Sequence, residues 1–141
     1  MEKFKILVLI LSFPIAINAQ NRDCLFDPAT DTLPVIGSQV LCSEKVVMHR
    51  DSLILGDSIK INKKGFELES FEMSSFALGN SFNLSSGSHK LTTGMRKCLK
   101  TNAGENKVIY KFVYLRNMII RTPDGRKVSP SIKEIRISFI D

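Results

Sequence analysis

The stretch VIYKFVYLRNMIIR, residues 108–121, decides the fold class. Tyr110, Phe112 and Tyr114 fall on one side of an extended chain, and Ile109, Val113 and Leu115 fall mostly on the other. Side chains of a strand alternate between faces, so apolar residues on both sides predict a central strand or one covered twice, with the Tyr110–Tyr114 stripe in the core. The strand runs into Thr122-Pro123-Asp124-Gly125, where Pro at the second position and Gly at the fourth predict a type I turn. Ile135, Ile137 and Phe139 then alternate with Glu134, Arg136 and Ser138, which is the pattern of a half-buried strand with one wet face.

Upstream of the central stretch lies the one segment with helical spacing. Met95, Cys98 and Leu99 stand at i, i+3 and i+4, predicting a helix from about Thr93 to Lys100. Thr92 or Thr93 is placed to cap its start and Asn102 or Gly104 to close its end. On that face Cys98 reads as a small core residue. Before it, Gly79 to His89 is rich in Ser, Gly and Asn and predicts a loop. Earlier still, Phe66 and Leu68, Phe71 and Met73, and Phe76 and Leu78 form apolar pairs whose phase slips by one between pairs. A straight strand keeps a period of two, so the slips predict one bent strand, or two strands meeting near Glu69-Ser70.

Between Leu33 and Ile61 short apolar runs (Leu33 to Ile36, Val40 to Cys42, Val46 to Met48, Leu53 to Leu55 and Ile59 to Ile61) are separated by turn formers, a spacing that suits several short strands. Residues 20–32 show little periodic hydrophobicity and read as an exposed lead-in. Residues 1–19 have the anatomy of a secretory signal: Lys3 and Lys5, a roughly dozen-residue apolar run from Ile6 to Ile17, and Ile17-Asn18-Ala19 before Gln20. That run falls short of the ~20 residues of a membrane-spanning helix, so cleavage and no remaining membrane span are expected. Asn21-Arg22-Asp23 before Cys24 does not suit a lipoprotein signal. The expected organisation is therefore a signal at 1–19, a lead-in at 20–32 and one domain at 33–141, exported to the periplasm or beyond.

The chain has a net charge of +6, and cleavage would remove two lysines and one glutamate, leaving +5. The cations are scattered among acids, which favours solubility over a nucleic-acid surface. Three cysteines (Cys24, Cys42 and Cys98) leave at least one thiol unpaired, and Cys24 with Cys42 is the candidate disulfide, although spacing alone does not supply bond geometry. Chemistry-bearing constellations are sparse. His49 and His89 are the only histidines; no G-x-S-x-G elbow accompanies the serines, and no C-x-x-C or H-x-x-x-H spacing points to zinc. Glu67 and Glu69 alternate with Phe66 and Leu68 as the solvent side of a strand would. No catalytic, cofactor-binding or metal-binding residue is assigned, and a non-enzyme is expected.

The order of the Phe-rich strand (Phe66 to Met73), the Gly/Ser/Asn loop, HKLTTGMRKCLK (89–100), AGENKVIYKFVYLRNMIIR (103–121), TPDGR (122–126) and the last alternating strand resembles the C-terminal domain of GldM, the gliding-motility protein of the type IX secretion system in Bacteroidetes. The resemblance covers about residues 55–141, and the NAQ that ends the signal suits that phylum. It implies a periplasmic β-sandwich of immunoglobulin-like type. It also implies binding to other envelope proteins, type IX secretion components among them. The anchoring helix and preceding periplasmic domains of that family do not occur in this sequence, so no motor-coupling role is carried over.

The expected function is thus an exported, non-catalytic protein-interaction module of the cell envelope, without cofactor or nucleic acid. Contact is expected through a strand edge or polar loops, with Arg121, Arg126 and Lys127 as the candidate partner residues. The alternative is a sandwich that binds carbohydrate or another envelope polymer.

Overall fold

A computed structural model describes residues 25–56, 58–100 and 108–140. The signal segment, Cys24 and the Asn102 or Gly104 helix stop lie outside the described residues. Two sheets face each other across an apolar core in a mostly β, sandwich-like domain, as the strand-rich pattern predicts. The small sheet contains β1 (Pro34–Ile36), β2 (Gln39–Val40) and β4 (Ile59–Ile61), in the order β2-β1-β4. The large sheet contains β3 (Lys45–His49), β5 (Glu67–Ala77), β6 (Asn80–Ser86), β7 (Phe112–Arg121) and β9 (Ile135–Ile140), in the order β3-β9-β7-β5-β6. A short β8 (Lys127–Val128) pairs with the end of β7.

The first phase slip seen in the sequence, between Leu68 and Phe71, is a bulge; the second, between Met73 and Phe76, is not, because the β5–β6 register runs unbroken there and Phe76 turns outward. Along β5 and β7, Leu68 pairs with Ile120 and Ser70 with Ile119, so β5 carries one extra residue there. The next pair is Glu72 with Arg116, so β7 now carries the extra residue, and Asn117 takes a left-handed φ of 51°. Each insertion turns the following side chains over. Burial accordingly moves from Leu68 to Phe71 and Met73 on β5, and from Leu115 to Met118 and Ile120 on β7. Two offset bulges keep both strands aimed at one core.

That core joins Phe71, Met73, Val113, Leu115, Ile135 and Ile137 of the large sheet to Ile36, Ile59 and Ile61 of the small one. It is extended by α1 (Arg50–Gly56) and α2 (Thr93–Leu99). Helix α2 begins as predicted: the Thr92 hydroxyl accepts a hydrogen bond from Met95 N–H at 3.2 Å, satisfying one of the orphan donors of the first turn. Met95 and Leu99 are buried, whereas Cys98 is only half-buried and carries a free thiol.

Helix α1 replaces the strand expected at Leu53 to Leu55. Here Leu53 is buried and Leu55 exposed, as helical phase allows, and Asp51 sits favourably in the first turn. The deciding contact is long-range: buried Arg50 donates from Nη1 to the Leu99 carbonyl at 3.1 Å and lies over the Phe139 ring. The guanidinium thus meets a carbonyl at the end of α2, where orphan acceptors gather.

The TPDGR turn also forms. Gly125 N–H donates to the Thr122 carbonyl at 2.9 Å, Thr122 N–H donates to the Arg126 carbonyl, and Gly125 takes φ +87°. Gly65 approaches this turn so closely that a Cβ there would lie 2.9 Å from Pro123. The stretch predicted as a loop, Gly79 to His89, is instead largely strand β6. Its registers Met73–Leu84 and Ser75–Phe82 bring Phe82 and Leu84 to the core side, against which both pack. The alternation of Phe82 and Leu84 with Asn and Ser is a half-buried strand pattern that the polar composition hid.

Candidate interaction surface

The large sheet has one face in the core and one turned outward. Register fixes what the outward face displays. Ser74, Tyr114, Arg136 and Lys45 form one row across β5, β7, β9 and β3. The neighbouring row carries Ser138 and Val47 beside Phe112. Among the described residues no helix or strand packs across this face. Phe112 and Tyr114, expected in the core stripe, therefore stand outward and half-buried; only Tyr110 of that stripe is buried, edge-on to Phe82. Two-sided hydrophobicity was real, but among the described residues its second face meets no further helix or strand.

The outward aromatic residues support one another. Phe76 and Phe112 meet edge-to-face with ring centroids 5.0 Å apart, Phe112 and Tyr114 at 5.4 Å, and the Arg136 guanidinium lies 4.3 Å over the Phe112 ring. Such contacts stabilise by about 0.5–1.5 kcal/mol per aromatic pair. They hold the rings as a fixed ridge. Phe76 remains 60% exposed, and Val47 and Ile140 extend the apolar area.

Charge sits at the other end of the same face. Arg116 donates to the Ser74 hydroxyl, and Glu72, opposite Arg116 in register, accepts from Asn117 Nδ2 at 2.7 Å. Among the described residues no carboxylate forms an ion pair with Lys45, Arg116 or Arg136. Tyr114, Lys45 and Arg136 border an open depression of ≈ 580 Å³, whose rim also carries Glu44 and Glu134.

The contact residues expected from the sequence are placed differently. Arg121 pairs with Glu67 at 2.7 Å, Arg126 with Asp124 at 2.7 Å and Lys127 with Glu69 at 3.5 Å. All three are exposed and cluster by the β7–β8 turn, yet each cation already faces an acid of its own domain. The hydrogen bond from Thr122 lowers the Asp124 carboxyl pKa most; desolvation opposes it, and hydrogen bonds and charge from Arg126 lower it further. This surface is locally neutral: Asp124 comes from the same turn as Arg126, while Glu67 and Glu69 come from β5, a pairing across strands that the sequence could not show.

The histidines do not converge. His49 Nδ1 lies 3.1 Å from the Ile140 carbonyl, and His89 Nδ1 lies 3.2 Å from Glu67 Oε1. Among the described residues there is no group of three or more His, Cys, Asp or Glu arranged to hold a metal ion, and no helix is long and apolar enough to cross a membrane. Cys42 is disulfide-bonded; Cys24, its expected partner, lies outside the described residues. The free Cys98 thiol is pushed above its usual pKa by burial, partly offset by Lys97, the opposite of what an activated nucleophile needs. No family model matches the chain, and no curated protein matches it.

Proposed function

We propose that the protein is an exported, non-catalytic protein-interaction module of the cell envelope, in the manner of the GldM C-terminal domain that its motif order resembles. The observation that carries this reading is the outward face of the large sheet: fixed aromatic rings and exposed aliphatic residues, with cations that form no ion pair and a layer that no helix or strand covers among the described residues. Surfaces of this composition mark association sites more often than solvent-facing sheet does. The first residues to consider are therefore Phe76, Phe112 and Tyr114, with Arg121, Arg126 and Lys127 as a second, more polar patch at the sheet's end.

The test is site-specific photo-cross-linking in intact cells. A cross-linker at Ser138, on the outward face, should capture one defined envelope protein, while one at Lys60, on the small sheet, should not. Equal capture from both positions, or none from Ser138, would remove this face from the proposal.

The polymer-binding alternative draws support from Tyr114, Lys45 and Arg136 around the ≈ 580 Å³ depression, where an acidic glycan would find both an aromatic edge and charge. Pull-down on acidic polysaccharide, with a Tyr114→Ala control, separates the two.

A further inference from the structure

At the tip of the β5–β6 hairpin stand Leu78 and Gly79, with φ of +49° and +79°. Ala77 pairs with Asn80, so the loop has two residues and positive φ at both, as a type I′ turn requires. That turn prefers Asn, Asp or Gly at its first position, since a larger side chain is strained in the left-handed region. Leu78 fills it nonetheless and is 94% exposed. Neither the strain nor the exposure stabilises the isolated domain, and strain in an exposed tip points to a role outside it. Next to the tip comes Phe76, and from there the outward face runs through the ring ridge to Lys45, Arg116 and Arg136.

We propose that this face, with Leu78 and Phe76 as its apolar end, docks an acidic segment of another protein, one in which carboxylates are set among aliphatic or aromatic side chains. The proposal rests on the interaction-module reading above and adds the chemistry of the partner. Lys45, Arg116 and Arg136, which form no ion pair among the described residues although Glu72, Glu44 and Glu134 stand near them, supply the complementarity. A second copy of this chain fits less well where the twofold axis passes through the cationic end, because Lys45, Arg116 and Arg136 would then meet their own kind. A bilayer fits less well because Ser138, Ser81 and Asn83 stand among the apolar residues, and hydrocarbon cannot hydrogen-bond to them. A protein main chain can.

Selection of a phage-displayed random dodecapeptide library on the purified domain tests this, with binding of the enriched peptides measured by interferometry. The expected winners combine Asp or Glu with aliphatic or aromatic residues. Their affinity should fall about tenfold with Leu78→Asn and about tenfold with Lys45→Gln plus Arg116→Gln. It should also weaken severalfold between low and high salt, because the charge contribution is screened. Leu78→Asn should melt at the same or a higher temperature than the parent, so its loss of binding cannot be loss of fold. Neutral or basic winners, or binding indifferent to these variants, would overturn the acidic-segment assignment; capture from Ser138 in cells would then still uphold the broader module reading. No enrichment would also overturn it, as would retention on vesicles of neutral or anionic phospholipid. Dimerisation abolished by Phe76→Ser would replace the partner with a second copy.

Discussion

The two faces of the large sheet are made by the same strands, yet they obey different rules. On the inward face Val113, Leu115, Ile135 and Ile137 are fully buried against the small sheet and the helices. On the outward face Phe112, Tyr114 and Arg136, one residue out of phase, touch mainly one another. Hydrophobicity alone does not distinguish them. The inward residues hold the fold through the area they remove from water, about 25 cal/mol per Å², while the outward residues still have that energy to gain from a partner.

Mutations distinguish the two faces. The largest effect is expected inside: Phe71→Ala, at a side chain 1% exposed, should cost about 3–5 kcal/mol through lost burial and the cavity left behind, read as a lower denaturation midpoint. On the outward face Phe76→Ser should cost about 1 kcal/mol or less, the worth of an edge contact, while reducing capture of the proposed envelope partner. Equal losses of stability at both sites would mean that the outward face is part of the core.

Leu78→Asn sharpens the contrast further, because relief of left-handed strain should stabilise by about 0.5–1 kcal/mol. A thermal melt shows the sign. The smallest effect belongs to Asp124. Its folded pKa lies below the ordinary carboxylate value, so its contribution is complete above that value and is lost as pH falls through the folded one. Hydrogen exchange at Gly125 and Arg126 should therefore accelerate relative to neighbouring β7 amides only under acidic conditions, and Asp124→Asn should flatten that change. Cys98 offers an internal check on burial: with its thiol pKa raised, alkylation at neutral pH should be slower than that of a free cysteine.

Much of the fold was legible because local and global signals agree. The α2 cap, the TPDGR turn and the strand β9 each follow from a few adjacent residues. The bulges were legible as phase slips at Leu68 to Phe71, although the compensating bulge at Asn117 was not, since a continuous apolar run conceals its own phase. Helix α1 was misread because its stabilising contact, Arg50 with the end of α2, is 49 residues away. The polar letters of Asn80 to Ser86 hid a strand for a similar reason: its core-facing Phe82 and Leu84 are defined by pairing with β5. The candidate surface was the least legible. Whether Arg121, Arg126 and Lys127 are available cations depends on Glu67, Asp124 and Glu69, and whether Phe112 is core or contact depends on which layer stacks where.

Strand β3 runs parallel to β9, joining residues such as His49 and Ile140 that are 91 positions apart, and β9 is itself inserted between β3 and β7. The large sheet therefore cannot close until residues 135–140 have arrived. Such distant pairing slows folding, because loop closure must precede the contacts that reward it. A chain ending before Ile135 should leave the β7 edge open and fail to fold, so completion of the sheet waits for residues 135–140. For a protein threaded through a membrane as an extended chain, as the proposed export requires, that delay keeps it fit to cross.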